Sequence, residues 1–157
     1  MFIHGNSDIG VGDGLEGIFF TGWSEQIEYY LSYGYTKADL YVTTWGDGLS
    51  VTSSLKYHSE NYLKYLRTFL LAVLDYTKSP YVNVIGHSMG VTLGRKIIKG
   101  GYANDELGSG SYYLGDPLTD RIKVFVGLAG ANEGLTSCYT TSTTLPTCGS
   151  TNGFFPG

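Results

Sequence analysis

The sequence is poor in charge. Lys, Arg, Asp and Glu make up 15% of its 157 residues, against roughly 25% in an average soluble domain. The ten Lys and Arg are scattered and outnumbered by fourteen acidic residues. Without a basic stripe, nucleic acid is excluded as an expected partner. Long hydrophobic runs are also missing. Residues 69–74 and the glycine-interrupted 124–131 are the longest, far short of the roughly 20 residues a membrane helix needs, so no transmembrane segment is expected. Cysteine is confined to Cys138 and Cys148. With no second pair and no nearby histidine, they make no zinc signature, and no metal site is expected. Gly10-Val11-Gly12-Asp13-Gly14 departs from G-x-G-x-x-G and leads into no helical pattern, so it is not a dinucleotide loop. No Walker-type loop occurs either, and no cofactor is expected.

Glycine, with 23 residues, and tyrosine, with 14, are abundant instead. The glycines follow no fixed period, which excludes a collagen-like chain. The apolar segments between them exclude simple disorder. Apolar residues, 42% of the total, suffice for the core of one domain. The two cysteines stand ten positions apart in a Thr/Ser-rich stretch. That setting suits a small disulfide loop in an oxidising compartment, with two unpaired thiols as the alternative. Met1 leads straight into Phe2-Ile3-His4-Gly5, which reads as the end of a buried strand entering a glycine turn, with no leader-like apolar segment ahead of it. Residues 152–157 read as loop. Residues 1–157 are therefore expected to be one domain cut from something longer, without its first strands and signal peptide and without its C-terminal strands.

The hydrophobic pattern alternates between two periods. Residues 22–33 place Trp23, Ile27, Tyr30 and Leu31 on one helical face. Residues 39–45 alternate as a strand. Residues 59–77 carry Tyr62, Leu63, Leu66, Phe69, Leu70, Val73 and Leu74 at helical spacing, and Ser79-Pro80 stops them. A β-branched strand follows at 81–85, a tight turn at 86–90, and a helix at 89–99 closed by Gly100-Gly101. A polar, Gly-rich excursion covers 102–120, and 121–128 reads as a further strand. This strand–helix grammar predicts an α/β fold: a partial parallel sheet of about four strands with helices on both faces.

Gly86-His87-Ser88-Met89-Gly90 fits the G-x-S-x-G nucleophile elbow. The pattern alone is weak in a chain so rich in glycine, so its context decides. A strand feeds it and a helix leaves it, as the elbow requires. Ser88 is thus the expected nucleophile. Gly86, His87 and Gly90 complete the turn, and the glycines leave room where neighbouring elements crowd. The free N–H groups of the helix N-terminus would face a developing oxyanion. His4-Gly5-Asn6, after the first strand, occupies the place of a second oxyanion loop. The backbone N–H groups of Asn6 and Met89 are the expected donors.

These segments, together with Tyr41-Val42-Thr43-Thr44-Trp45-Gly46-Asp47 and Val124-Phe125-Val126-Gly127-Leu128-Ala129-Gly130-Ala131-Asn132, resemble the α/β-hydrolase superfamily. Within it they resemble the class 2 (EstA-type) lipases, most of all the secreted nematode members. The resemblance implies an α/β-hydrolase fold, an extracellular setting, and hydrolysis of lipid or other small esters with transient contact to lipid surfaces. It also implies a triad in the order serine, acid, histidine. Here the chain departs from the pattern. His4, His58 and His87 all precede Ser88. His4 is expected to brace the oxyanion loop, His58 to cap a helix or lie on the surface, and His87 to turn away. Asp105, Glu106, Asp116, Asp120 and Glu133 follow Ser88, and none sits where the resemblance needs the acid. Acid and base are expected beyond residue 157, which leaves residues 1–157 by themselves nearly inactive. Two alternatives stand beside this reading: a non-catalytic module of the same fold that binds lipid or protein, and an acyltransferase or thioesterase of the same superfamily.

Overall fold

A computed structural model describes residues 1–13, 20–141 and 143–157; Gly14 of the glycine run lies outside the described residues. In chain order the elements are β1 (Phe2–Ile3), α1 (Ser24–Ser32), α2 (Glu60–Thr77), β2 (Val82–His87), α3 (Met89–Lys99), β3 (Tyr102–Asp105), β4 (Gly110–Tyr113) and β5 (Ile122–Leu128). Short 3-10 turns occupy Ser50–Leu55, Thr119–Arg121, Thr136–Tyr139 and Pro146–Cys148.

β2 is the middle strand of a parallel sheet ordered β1-β2-β5. Ile3 pairs with Gly86, and His87 with Leu128. α3 packs on one face, and α2 packs against α3. The stripe read from the sequence is the one buried: Leu63, Leu66, Leu70, Val73 and Leu74 of α2 join Leu93 and Ile97 of α3 and Ile3 and Val84 of the sheet in one core. Each such side chain contributes roughly 1.5–3 kcal/mol by leaving water. Ser59 starts α2 by accepting from the Tyr62 N–H at 3.3 Å, and the buried Asp105 accepts from the Glu60 N–H at 2.8 Å.

Three expectations need correction. The strand expected at 39–45 reduces to a single parallel bridge between Val42 and Phe2, so the sheet has three strands rather than four. Beyond Val42 the segment's backbone and side chains serve other partners. The Trp45 N–H donates to a ring nitrogen of His4 at 3.0 Å, and Thr44 Oγ1 accepts from the Gly10 N–H at 2.9 Å. Helical cover on both faces is also only partial. Side chains alternate across a strand, so Phe2 faces away from α3 and meets Trp23 and Tyr30 beside α1, ring centres 5.2 and 5.8 Å apart. Along β5 that same face stays open: Val124, Val126 and Leu128 are 47%, 38% and 44% exposed. Finally, the excursion at 102–120 contains an antiparallel hairpin, β3 with β4. Its strands are polar and bury little beyond Tyr112 and Asp105, so no alternation announces it.

The segment after β5 is irregular, as its sequence implies, yet it is fastened down. Cys138 and Cys148 form a disulfide with Cα atoms 5.3 Å apart. Phe154 is buried in the main core.

Candidate active site

Ser88 stands at the junction of the middle strand and α3, with φ 52° and ψ −124°. A positive φ on a non-glycine residue is strained and persists only where its surroundings enforce it. The enforcement is visible. The Ser88 N–H donates to the Leu128 carbonyl at 2.9 Å, and the Ser88 carbonyl accepts from the Val91 N–H at 3.0 Å. Gly90 lets the first turn of α3 press onto β1: a Cβ there would lie 2.4 Å from the carbonyl oxygens of both Ile3 and His4. Gly86 is equally constrained, since its Cβ would meet the Gly90 carbonyl at 2.8 Å. His87, the last residue of β2, is exposed, and its ring lies toward Gly5.

Gly5 brings the loop after β1 against the elbow. A Cβ on Gly5 would sit 3.1 Å from the Ser88 Cβ. The Asn6 N–H is therefore near Ser88 in the chain that lines it, while the Met89 N–H begins α3, where no intrahelical acceptor exists. Among the described residues neither amide donates to a backbone acceptor. The Asn6 side chain is fixed at both ends. Its Nδ2 donates to the Ser53 carbonyl at 3.0 Å, and its Oδ1 accepts from the Ser7 hydroxyl at 3.0 Å.

All three histidines can be placed. His4 is fully buried and stacks on Trp45 with ring centres 5.2 Å apart. Its Nε2 accepts from the Trp45 N–H, so Nδ1 carries the proton and donates to the Gly5 carbonyl at 2.8 Å. The Trp45 indole donates back to the His4 carbonyl at 2.9 Å. Burial pushes the His4 pKa below its ordinary value. His58, expected to cap a helix or lie on the surface, is half-buried with its ring held from both sides. Its Nδ1 donates to the Asn152 carbonyl and its Nε2 meets Thr92 Oγ1, each at 2.8 Å. Burial lowers its pKa too. Both rings are committed to structural partners, and the His87 ring has no hydrogen bond among the described residues. Among the described residues none of the three rings is hydrogen-bonded to a carboxylate.

Of the five acids after Ser88, three have other partners. Asp105 caps α2, Glu106 accepts from Thr151 and Asp116 from Tyr113. Asp47 pairs with Lys56 at 2.7 Å. The Lys56 ammonium, with the Leu49 N–H and the Thr52 hydroxyl, holds the Asp47 carboxyl well below the usual carboxylate range. Lys56 itself is almost wholly buried, a residue the sequence did not single out. A lysine nine positions after an aspartate carries no signal of its own.

The sequence profile of the lipase (class 2) family matches residues 1–156. The chain belongs to the class 2 lipases. No curated protein sequence matches it significantly. The class 2 lipase match covers every segment on which the resemblance rested, and it places the chain among ester hydrolases of lipid-type substrates. The disulfide of this lipase is compatible with an extracellular setting. No helix among the described residues is long and apolar enough to cross a membrane.

Proposed function

We propose that this lipase hydrolyses carboxylic esters through an acyl-enzyme on Ser88, outside the cell and on lipid or other small ester substrates. The observation that carries the reading is the strained Ser88 backbone at the end of the middle strand, with the Gly5 loop packed on its Cβ. In this reading Ser88 Oγ attacks the ester carbonyl, and the N–H groups of Asn6 and Met89 stabilise the tetrahedral oxyanion. The alcohol leaves with a proton, and water then releases the acid from Ser88. A base must take the serine proton, because serine is a poor nucleophile at its free pKa. His4 and His58 have both ring nitrogens committed and the exposed His87 ring has no carboxylate partner among the described residues, which supports the reading of a base and an orienting acid from beyond residue 157. No cofactor takes part in these steps.

The test is hydrolysis of a short p-nitrophenyl ester by the complete protein and by its Ser88→Ala variant. Loss of the serine is expected to lower kcat at least ~10⁴-fold, the scale on which triad members act. An unchanged rate in the variant would refute the nucleophile. No turnover by the intact protein on any ester would favour a non-catalytic binding module.

A further inference from the structure

The segment after β5 reaches the Ser88 site through two hydrogen-bonded relays. In the first, Thr147 stands next to Cys148, which the disulfide ties to Cys138. Thr147 Oγ1 lies 2.8 Å from the Ser53 carbonyl and 2.5 Å from the Lys56 carbonyl, so its one hydroxyl proton is shared between them. The same Ser53 carbonyl accepts from Asn6 Nδ2. One of the two clamps on the Asn6 side chain is therefore anchored on a group that the disulfide-closed segment fixes. In the second relay, the Asn152 carbonyl accepts from both the backbone N–H and Nδ1 of His58. His58 Nε2 meets the Thr92 hydroxyl, which also lies 2.9 Å from the Met89 carbonyl. The segment is thus linked through Ser53 to the loop that bears the Asn6 amide, and through His58 and Thr92 to the helical turn that bears the Met89 amide.

We propose that the disulfide-closed segment is a brace for the oxyanion hole, with Thr147 the positioning residue for the Asn6 N–H. The proposal rests on the reading of Asn6 and Met89 as oxyanion donors. The physical reason is that such donors act by preorganisation: they lower the barrier only if they already point where charge will develop. A donor on a loop is as precise as the groups that hold the loop. β1 supplies only two residues of ladder before Gly5, so the loop depends on side-chain clamps. Removing an oxyanion donor outright costs ~10²–10³ in kcat. A donor that stays in place but is no longer held is expected to cost less, about 10-fold. Because the interaction strengthens in the transition state, the loss should fall on kcat and leave KM nearly unchanged.

The experiment compares the complete protein with Thr147→Val, Thr147→Ser, Asn6→Ala, the Thr147→Val/Asn6→Ala double variant and Ser88→Ala. Each is assayed on a p-nitrophenyl ester well below its own melting temperature. Thr147→Val should lower kcat about 10-fold with KM within about twofold, and Thr147→Ser, which restores the hydroxyl, should recover the rate. The double variant should be no slower than Asn6→Ala alone, because both changes act through the Ser53 carbonyl. A Thr147→Val enzyme at the parent kcat, a failure of Thr147→Ser to rescue, or fully multiplicative losses in the double variant would overturn the brace. Full activity in Ser88→Ala would instead overturn the underlying reading, and the brace with it. A dead Ser88→Ala beside an unaffected Thr147→Val overturns the brace alone.

Discussion

Gly90 is where one methyl group decides whether the elbow can close. Its Cβ position lies 2.4 Å from the carbonyl oxygens of Ile3 in β1 and of His4 just after it, and backbone oxygens cannot swing aside as a side chain could. Gly90→Ala therefore has to push α3 off β1. Overpacking of this kind typically costs ~1–3 kcal/mol, occasionally more. For a domain of this size that is a fall in Tm of roughly 2–12 °C, to be read by thermal unfolding. A variant that melts with the parent would show that the contact is relaxed in solution. His4 and His58 make a second residue-scale prediction. Burial lowers both pKa values in the folded chain, so the unfolded chain binds protons first as the pH falls. The stability they contribute is complete above the ordinary histidine value of about 6.5 and is lost as the pH drops from there through the folded pKa values. Tm should decline between about pH 7 and pH 5, and His58→Gln should shallow that decline. An equal slope in the variant would show that His58 is not one of the groups responsible.

Among the elements, α2, α3 and the strands beside them were legible because local signals and tertiary demands agree. Ser59 precedes α2, Gly100 follows α3, and the apolar stripes between them are the buried ones. The 39–45 segment was not legible in its true form. Its alternation is real, but the pull of His4 on the Trp45 N–H is a contact across 41 positions that no local window contains. The β3–β4 hairpin escaped because the face it buries carries only Ala103, Asp105 and Tyr112, too few apolar residues to write a period of two. At the site, Ser88, Gly86, Gly90 and Gly5 stood out because glycine marks close approach. Thr147, Asn152 and Lys56 did not, since threonine, asparagine and lysine in a polar stretch look like solvent-facing residues until the fold brings them to Ser53, His58 and Asp47. The Cys138–Cys148 closure gives the element-scale prediction. Replacing both cysteines by serine releases a loop of ten positions, which the chain-entropy estimate values at ~2–3 kcal/mol. The difference should appear as a lowered denaturant midpoint, with a slope no smaller than the parent's because the freed loop lets the unfolded chain expand. A midpoint equal to the parent's would mean that the loop is held by its hydrogen bonds alone.

At the scale of the whole molecule, the sheet presents Ser88 at the carboxyl end of its middle strand, while α2 and α3 cover one face of it and the other face stays open along β5. The class 2 lipase family supplies the reaction type, and the proposed function ties that reaction to the Ser88 oxygen. The measurement that bears on the connection most directly is covalent trapping. The complete protein is incubated with an alkyl fluorophosphonate, digested, and its peptides weighed. A serine activated as nucleophile displaces fluoride and keeps the phosphonyl group on its oxygen. The expected result is a single adduct on the peptide that contains Ser88, absent from the Ser88→Ala protein. An adduct on another residue, or an unlabelled Ser88 in protein that hydrolyses esters, would contradict the account.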